Sequence, residues 1–378
     1  MRICRFDNDR LGVVIGDRVH DVSAAQDEIR ASAPYAMKGD AVIAALPTWG
    51  ARLAKMAAAV PGKPLAEIAL LSPVARPGKV MAAPTNYGKH IEEMRSVREA
   101  QVGGVARFPS DIGQAGIFLK SNTAVVGPSE GIPIRFPDRR NDHEIELVLI
   151  IGREGSRIPR DKALEYVAGY CLGLDMTVRG PQDRSFRKSC DGYGVLGPWM
   201  VTTDEIADPD DLPLSLHVND DLRQDTNTSN LIYDIRRLIE FASEYYTLYP
   251  GDVYYTGTPE GVGPVKPGDR LRGREAGHVI NGQISCRCRL TGQQGHATPG
   301  TLLMHDGQFL IGRRPPPGSL KGRGIIGSEC PHRIRRRAGI HSRGSGNAIA
   351  RASALRELVR TGSASRRYIS RVLGFRSR

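Results

Sequence analysis

Residues 141–152, NDHEIELVLIIG, are the stretch that decides the fold. Leu147 to Ile151 form an unbroken apolar run, which predicts a strand that is buried on both faces. Glu144 and Glu146 come directly before this run, and side chains two apart on a strand point to the same side. Two carboxylates held that close raise each other's pKa unless a cation lies between them. The stretch therefore predicts a buried strand with an acidic pair at its edge, or alternatively a solvated strand end with two surface acids.

A third acid lies at the end of the next predicted strand. Residues 166–174 favour a strand that ends in Asp175, and Arg179, Gln182 and Lys188 follow soon after it. Three carboxylates suit a hard dication that prefers oxygen ligands, while the Arg, Gln and Lys side chains suit the carboxylate and developing oxyanion of an anionic substrate. Arg179 could equally neutralise the acids as a plain salt bridge.

A second group of polar residues lies on a predicted helix that starts at about Tyr87. His90 and Glu93 stand three residues apart on this helix, on one face and within hydrogen-bonding reach. A carboxylate in that position orients the imidazole and raises its basicity, as a general base requires. An ordinary ion pair on an exposed helix is the alternative. Residues 100–115, rich in Gly and small side chains, are typical of a mobile lid.

The first part of the chain predicts a small α+β module over residues 1–70. Strands are expected at 1–6, 11–15 and 18–22, and an Ala-rich helix at 41–59. Further along, residues 230–246 predict an amphipathic helix with an apolar stripe that belongs to the core and with Ser229 as its N-cap.

Composition indicates a globular protein outside the membrane. The chain has 378 residues, 40% of them hydrophobic, and no apolar stretch of membrane-spanning length. The charged N-terminus lacks the apolar segment of a signal peptide, and the six cysteines show no framework spacing. We therefore expect a cytoplasmic protein.

The net charge of +12 belongs to the C-terminal segment. From residue 295 onwards there are 17 Lys and Arg against 3 Asp and Glu, a net charge of +14. The preceding residues hold 36 basic and 38 acidic side chains, a net charge of −2, so nothing before residue 295 suggests nucleic-acid binding.

Residues 295–378 predict a basic, mostly disordered tail, in which only 353–359 resemble a short helix. One interpretation is an arm that binds nucleic acid or an acidic partner nonspecifically. The other is a shifted reading frame of GC-rich DNA, in which Arg, Gly, Pro, Ala and Ser codons dominate.

Removing the tail should leave the chemistry unchanged. Every candidate site residue lies before Gly263, so a chain shortened to residues 1–294 should keep the turnover number of the full chain. It should lose only polyanion binding that weakens steeply with salt, because such binding rests on counterion release. The measurement is turnover and nonspecific DNA binding of both chains. An inactive or insoluble shortened chain beside an active full chain would contradict the prediction.

Five motifs together resemble the fumarylacetoacetate hydrolase family, in the right order over about residues 75–290. They are NYGKHIEEM at 86–94, HEIEL at 143–147, DMTVRGPQ at 175–182, Lys188 with GPW at 197–199, and PGDVYYTGTPEGVG at 250–263. The first of these is similar to the lid helix of the family's acylpyruvate-hydrolase branch.

The resemblance implies a fold, a cofactor and a set of site residues. The fold is a mainly β, α+β mixed β-sandwich roll, usually dimeric, with the catalytic domain at 71–294 between the N-terminal module and the tail. The cofactor is Mg²⁺ or Mn²⁺, with Ca²⁺ also known. The residues similar to the family's are Glu144, Glu146 and Asp175 as metal ligands, His90 and Glu93 as the water-activating dyad, Arg179, Gln182 and Lys188 as substrate and oxyanion contacts, and Thr258 in the carboxylate-binding turn.

The implied function is metal-dependent hydrolysis of a C–C bond in a 1,3-dicarbonyl 2-oxo acid, of acylpyruvate or fumarylpyruvate type, in aromatic-compound catabolism. Such a hydrolase would leave its departing carbon as an enolate. An isomerase or decarboxylase of 2-hydroxydienedioates would use the same enolate and remains an alternative. An alternative of another class is a basic-tailed binding protein on an inactive scaffold, which only the tail supports.

Overall fold

The computed structural model describes residues 1–35, 37–102, 112–275, 283–290, 302–305 and 308–311. The strands are β1 (Arg2–Phe6), β2 (Arg10–Ile15), β3 (Arg18–Asp21), β4 (Lys63–Pro64), β5 (Leu70–Leu71), β6 (Val80–Ala82), β7 (Phe118–Lys120), β8 (Val125–Val126), β9 (Ile132–Ile134), β10 (Asn141–His143), β11 (Ile145–Ile151), β12 (Val167–Asp175), β13 (Thr177–Val178), β14 (Gly194–Thr202), β15 (Pro213–Val218), β16 (Asp221–Asn227), β17 (Val253–Tyr255), β18 (Gly263–Val265), β19 (Arg270–Glu275), β20 (Gln283–Leu290), β21 (Leu302–His305) and β22 (Gln308–Ile311). The helices are α1 (Ser23–Ser32), α2 (Ala41–Ala59), α3 (Gly88–Val102), α4 (Ile112–Ala115), α5 (Arg184–Lys188) and α6 (Ile235–Tyr245).

One large mixed sheet organises the described residues. Its strands run in the order β4-β3-β2-β1-β14-β12-β11-β17-β6-β7, with β5 added beside β1 and β8 beside β14. Most neighbours are antiparallel, whereas β17 with β6 and β14 with β8 are parallel. The N-terminal strands expected from the sequence form here, and β1 pairs with β14, so residues 1–70 share the sheet of the main domain. The boundary near residue 70 stays a prediction.

Strand β11 lies in the middle of this sheet and is covered on both faces, as its apolar run predicts. Leu147, Leu149 and Ile151 pack into a core that also holds α6 and the inner faces of β15 and β19. Val148 and Ile150 pack on the opposite face, in a core that holds α1 and α2. Alternation of side chains along a strand assigns successive residues to the two cores. The mainly β, α+β architecture predicted from the sequence is therefore confirmed.

The chain changes from one sheet to another at Glu144. Strand β10 pairs with β13 and β18 in a three-stranded sheet, whereas β11 pairs with β12 and β17 in the large sheet. Glu144 is the single residue between the two strands. The acidic pair therefore lies at a junction of two sheets, where side chains from several strands can converge.

Helix α6 is shorter than its apolar pattern predicts. It begins at Ile235, after Asp234, whose side chain accepts a hydrogen bond from the backbone N–H of Arg237 at 2.7 Å. Residues 228–230 form a 3₁₀ turn instead, which the side chain of Asn227 caps. The predicted N-cap at Ser229 is therefore wrong, because Asp234 competes for the helix start with a good cap of its own.

The end of the catalytic region and part of the tail are also described. Strand β20 pairs with β19 and, in parallel, with β9. Within the tail, β21 and β22 form an antiparallel hairpin, where the sequence predicts mostly disorder. Residues 103–111 of the expected lid, and the short helix expected at 353–359, lie outside the described residues.

Within the described part of the chain, no helix combines the length and the apolar character needed to cross a membrane.

Candidate metal centre and active site

Three carboxylates converge where β11 and β12 meet the sheet junction. Glu144, Glu146 and Asp175 are buried, and one carboxylate oxygen of each lies within 4.8 Å of the others. Glu146 lies in β11, which pairs with β12 in a register that sets Ile145 opposite Leu174. The backbone N–H of Asp175 donates to the carbonyl of Glu144 at 2.9 Å, which ties the two strand ends together. Local strand periodicity supplies the first two acids, and strand pairing supplies the third.

The cluster carries more negative charge than its surroundings easily hold. Burial and the neighbouring Asp175 carboxylate raise the pKa of Glu146 well above its ordinary value, and Glu144 adds to the effect. Burial alone would raise the pKa of Glu144 too, but the charges of Lys188 and Arg179 outweigh it and lower that pKa. One carboxylate of the three is therefore left without enough positive charge.

Two buried lysines supply part of the positive charge that balances the three carboxylates. The Nζ of Lys188 donates to Glu144 Oε2 and to Asp175 Oδ2, both at 2.6 Å. Burial opposes its charge, but the two carboxylates outweigh burial and raise the pKa of Lys188. Lys120 donates to the other oxygen of Asp175, and burial lowers its pKa despite that carboxylate. Sequence reasoning missed Lys120, although a lysine that ends the apolar strand Phe118–Lys120 is an unusual feature.

The donor set fits a hard divalent cation. Carboxylate oxygens are the ligands that Mg²⁺, Mn²⁺ and Ca²⁺ prefer, and three of them converge here in a buried position. A dication would supply the positive charge that the raised pKa of Glu146 indicates is lacking. Glu144, Glu146 and Asp175 are therefore the residues that would hold the metal, as the sequence predicts.

A tight turn after β17 fixes Glu146. The backbone N–H of Gly257 donates to Glu146 Oε2 at 2.6 Å. Gly257 has a φ of +106°, and a Cβ at that position would lie 2.7 Å from the Cβ of Asn86. Only glycine therefore fits this turn without displacing its neighbour. The side chain of Asn86 holds the same turn, because its Nδ2 donates to the carbonyl of Thr256 at 2.8 Å.

Thr258, implied as part of a carboxylate-binding turn, is engaged in the fold in this structure. Its hydroxyl donates to the carbonyl of Ile145 at 3.0 Å and accepts from the Nε2 of Gln224 at 2.9 Å. A threonine hydroxyl has one proton to donate, so as it lies here Thr258 has none to offer a substrate. The Oε1 of Gln224 also accepts from the N–H of Ile145 and lies 3.1 Å from Nδ1 of His143. Gln224 thus joins the turn to β11, a role that no sequence motif indicated.

The predicted dyad forms on α3. The Nδ1 of His90 lies 3.3 Å from Glu93 Oε2, and the His90 side chain is buried. Glu93 also accepts from the backbone N–H of Gly261, which links α3 to the turn region after β17. Burial alone would raise the pKa of Glu93, but hydrogen bonds from His90 and Gly261 outweigh it and lower that pKa. An ionised Glu93 only accepts, so Nδ1 carries the proton and Nε2 keeps its lone pair.

The dyad and the metal ligands adjoin the same turn region after β17. The N–H of Gly257 donates to Glu146, and the N–H of Gly261 donates to Glu93, the partner of His90. The structure therefore links the two groups that the family resemblance assigns to one site.

Of the three predicted substrate and oxyanion contacts after Asp175, the structure brings two, Lys188 and Arg179, to the acids. The Nε of Arg179 donates to Asp142 at 2.5 Å, and its NH2 lies 3.4 Å from Glu144 Oε1. Asp142, fully buried and missed by sequence reasoning, also accepts from Arg140 and so holds Arg179 in place. Gln182 is exposed, and within the described residues its side chain contacts Arg139 at 3.0 Å and no acid of the cluster.

Comparison with known proteins agrees with this geometry. The family profile named fumarylacetoacetate (FAA) hydrolase C-terminal matches residues 79–290. The maleylpyruvate hydrolase of Aquipseudomonas alcaligenes is 52% identical over 272 residues, which cover 72% of this chain and 94% of that protein.

Two solved structures show the same fold. The first is maleylpyruvate hydrolase from Sphingobium sp. SYK-6 in complex with manganese (II) ion and pyruvate, with 37% identity, a TM-score of 0.64, and coverage of 77% of this chain and 99% of that chain. The second is 2-hydroxyhepta-2,4-diene-1,7-dioate isomerase from Mycobacterium marinum, with 27% identity, a TM-score of 0.55, and coverage of 78% of this chain and 100% of that chain.

Proposed function

The chain belongs to the fumarylacetoacetate hydrolase family, and from that premise we propose that it is a metal-dependent hydrolase of acylpyruvates, with maleylpyruvate as its substrate. The observation that carries the proposal is the meeting of three buried carboxylates, a His–Glu pair and two buried lysines in one site. The relatives named maleylpyruvate hydrolase support the choice of substrate.

The reaction adds water across one C–C bond of the substrate. The oxygen of water joins the carbonyl carbon of the acyl part. The acyl part then leaves as a carboxylic acid. The electron pair of the broken bond stays on the CH₂ carbon, which takes up a proton to give pyruvate. A site for this reaction needs a base for water, positive charge for the developing negative oxygens, and a group that holds the 2-oxo acid.

Glu144, Glu146 and Asp175 would hold Mg²⁺ or Mn²⁺, which when bound supplies Lewis-acid polarisation of the substrate's oxygens. Because each acid is also held by a donor of the chain, the three keep their positions before the ion arrives. Lys188 binds Glu144 and Asp175, and the N–H of Gly257 binds Glu146. Such preorganisation lowers the cost of binding the ion.

His90 is the base that takes the proton from water. Its Nδ1 proton is committed to Glu93, so the lone pair of Nε2 is the one available to water. Glu93 is held in turn by the N–H of Gly261, so the imidazole has an oriented partner on a rigid turn. Glu93 also stabilises the imidazolium that forms when the proton arrives.

Lys188 and Lys120 are the positive charges closest to the acids, and we assign them to the stabilisation of negative oxygens during the reaction. Both ammonium groups are nearly free of contact with solvent, so their fields are weakly screened. Lys188 stays fully charged because its pKa is raised by two carboxylates. Arg179, with its guanidinium 3.4 Å from Glu144, suits the carboxylate of the 2-oxo acid.

Isomerisation of a 2-hydroxydienedioate is the second candidate function. The solved isomerase with the same fold supports it, and the same acids and lysines would serve an enolate that is reprotonated instead of cleaved. The His90–Glu93 pair favours hydrolysis, since only hydrolysis requires an activated water. We also propose that the protein works as a cytoplasmic homodimer, as the family resemblance implies.

A substrate panel tests the proposed function. We expect Mn²⁺- or Mg²⁺-dependent conversion of maleylpyruvate to maleate and pyruvate, with one oxygen from labelled water in maleate, measured by mass spectrometry. Fumarylpyruvate, acetylpyruvate and 2-hydroxyhepta-2,4-diene-1,7-dioate complete the panel. A product with the mass of the substrate would assign isomerase activity, and turnover insensitive to chelators would contradict the assigned role of the acids.

A further inference from the structure

We infer that Arg184, with Arg187 beside it, forms a subsite for the second carboxylate of a dicarboxylate acylpyruvate. The inference rests on the proposed function and deepens it, because it states which part of the substrate the chain selects. An acylpyruvate such as maleylpyruvate carries one carboxylate on its 2-oxo acid end and another on its acyl end. The acids, Lys188 and Arg179 account for the first end only.

Arg184 lies on the same helix face as Lys188. The two residues begin and end α5, four positions apart, so their side chains are neighbours. Both pack against Phe118: the Cζ of Arg184 lies 5.6 Å from the centre of the ring, and the Nζ of Lys188 lies 5.5 Å from it. The guanidinium is therefore no more than about 11 Å from the ammonium that binds Glu144 and Asp175.

This upper limit of about 11 Å is compatible with the length of the substrate. Six bonds join the two carboxyl carbons of an acylpyruvate such as maleylpyruvate. An extended chain advances about 3.8 Å for every three bonds, so the carboxyl carbons stand at most about 7.6 Å apart. A substrate whose 2-oxo acid end lies at the acids can therefore present its other carboxylate to Arg184.

The guanidinium of Arg184 lacks an acceptor of its own within the described residues. It stacks on Phe118 and forms neither a hydrogen bond nor an ion pair with any described side chain or carbonyl. Its side chain is only partly exposed, and burial lowers its pKa, although Glu144, Asp175 and Asp183 act in the opposite direction. A partly buried guanidinium whose donors are unused is a ready site for a carboxylate.

Arg187 adds a second positive charge next to Arg184. Its Nε donates to the carbonyl of Gln182 at 2.8 Å, and its NH1 lies 3.4 Å from the carbonyl of Val178. Burial lowers the pKa of Arg187, and the charges of Arg179 and Arg184 lower it further. Mutual repulsion of this kind disfavours the empty site, and a bound anion would relieve it.

The charge of the whole site favours a dianion. Glu144, Glu146, Asp175 and Asp142 carry four negative charges, which Lys120, Lys188, Arg179 and Arg140 match. Arg184 and Arg187 then add two positive charges, against one negative charge each on Asp183 and Glu93, and a bound dication would add two more. The resulting excess of two positive charges suits a substrate with two carboxylates better than one with a single carboxylate.

The test compares two substrates that share the 2-oxo acid end. Acetylpyruvate lacks the second carboxylate, and maleylpyruvate has it. For Arg184→Ala we expect KM for maleylpyruvate to rise about a hundredfold, the usual scale for loss of one partner of a desolvated charge pair, with kcat/KM for acetylpyruvate changed less than about threefold. In Arg184→Lys, KM for maleylpyruvate should lie between the values of the parent and of Arg184→Ala, since lysine keeps the charge and loses the planar pair of donors.

Binding supplies a readout that is independent of turnover. Calorimetric titration of the Mn²⁺-loaded protein with maleate should show weaker binding in Arg184→Ala, while titration with pyruvate should be unchanged. Arg184→Met keeps a long side chain against Phe118, so weaker maleate binding in this variant would come from the lost charge and not from lost packing. Arg153→Ala is the matched control, because its guanidinium also stacks on an aromatic ring, that of Tyr166 at 5.2 Å, away from α5.

The outcomes separate the inference from the proposed function. Equal losses for both substrates, or unchanged maleate binding in Arg184→Ala and Arg184→Met, would overturn the subsite while leaving the hydrolase assignment intact. A parent protein that cleaves neither substrate would overturn the proposed function, and the maleate titration would still decide on the subsite.

Discussion

Glu146→Gln is expected to abolish turnover and to remove most of the stabilisation that a divalent metal gives the protein. The substitution keeps the shape of the side chain and an oxygen that can accept from the N–H of Gly257. It removes the charge of the acid whose pKa is raised by burial and by the neighbouring Asp175 and Glu144 carboxylates. The metal would then meet two carboxylates instead of three, in a buried site where water screens little.

The measurement is the melting temperature with and without Mn²⁺. At a hundred times its Kd a ligand that binds only the folded protein adds about 2.7 kcal/mol to stability, or roughly 5–10 °C for a domain of this size. We expect this rise in the parent and little of it in Glu146→Gln. Without metal the variant should be at least as stable as the parent, because one of three repelling charges is gone.

Glu154→Gln makes the same chemical change at an exposed position and should behave as the parent. An unchanged metal-dependent rise in Glu146→Gln would mean that the metal binds elsewhere.

His90→Ala is expected to lower hydrolysis about a hundredfold or more, the usual size of a general-base contribution. Metal affinity should barely change, because His90 approaches the acids without being one of the three ligand residues. The 3.3 Å separation from Glu93 is long for a hydrogen bond, and catalytic pairs often tighten only when substrate is bound. The measurement is kcat for maleylpyruvate beside the Kd for Mn²⁺.

Two further variants make the result specific. Glu93→Gln keeps an acceptor for Nδ1 and loses the negative charge, so we expect a smaller loss than for His90→Ala. Lys89→Ala removes an exposed neighbour on the same helix and should leave the rate unchanged. Hydrolysis that survives in His90→Ala would remove the dyad from the mechanism. Isomerisation that survives while hydrolysis is lost would instead support the second candidate function.

The effect of low pH on activity depends on the ionisation of Glu93. Hydrogen bonds from His90 and Gly261 outweigh burial and lower its pKa in the folded protein. A carboxylate with a lowered pKa contributes stability above its ordinary pKa, and the contribution is lost as pH falls through the lowered value. The carboxylate therefore stays ionised, and able to orient His90, throughout the neutral range.

The sequence by itself determined the features that depend on local periodicity. The apolar run in β11 indicated a strand between two cores, and residues on both faces are buried. The two-residue spacing of Glu144 and Glu146 and the three-residue spacing of His90 and Glu93 placed each pair on one side of its element. Such spacings need no knowledge of the rest of the chain, because strand and helix geometry fix them.

The helix start at Asp234 shows where local patterns compete. The apolar stripe of α6 extends toward Asn230, and Ser229 is an acceptable cap by residue type. The side chain of Asp234 captures the N–H of Arg237 instead, and the preceding residues turn separately. Asp and Ser are both favourable N-cap residues, so the hydrogen bonds of the folded chain decide where the helix begins.

The tertiary structure decided which distant residues share the site. Lys120 pairs with Asp175 across 55 positions of sequence, and Gly257 donates to Glu146 across 111 positions. These contacts depend on strand order and register, since β11 lies between β12 and β17, and β6 lies between β17 and β7. A one-residue slip in any of these pairings would turn the side chains to the opposite face. The acidic motif could therefore be recognised in the sequence, whereas the contacts of Lys120 and Gly257 with it depend on the folded sheet.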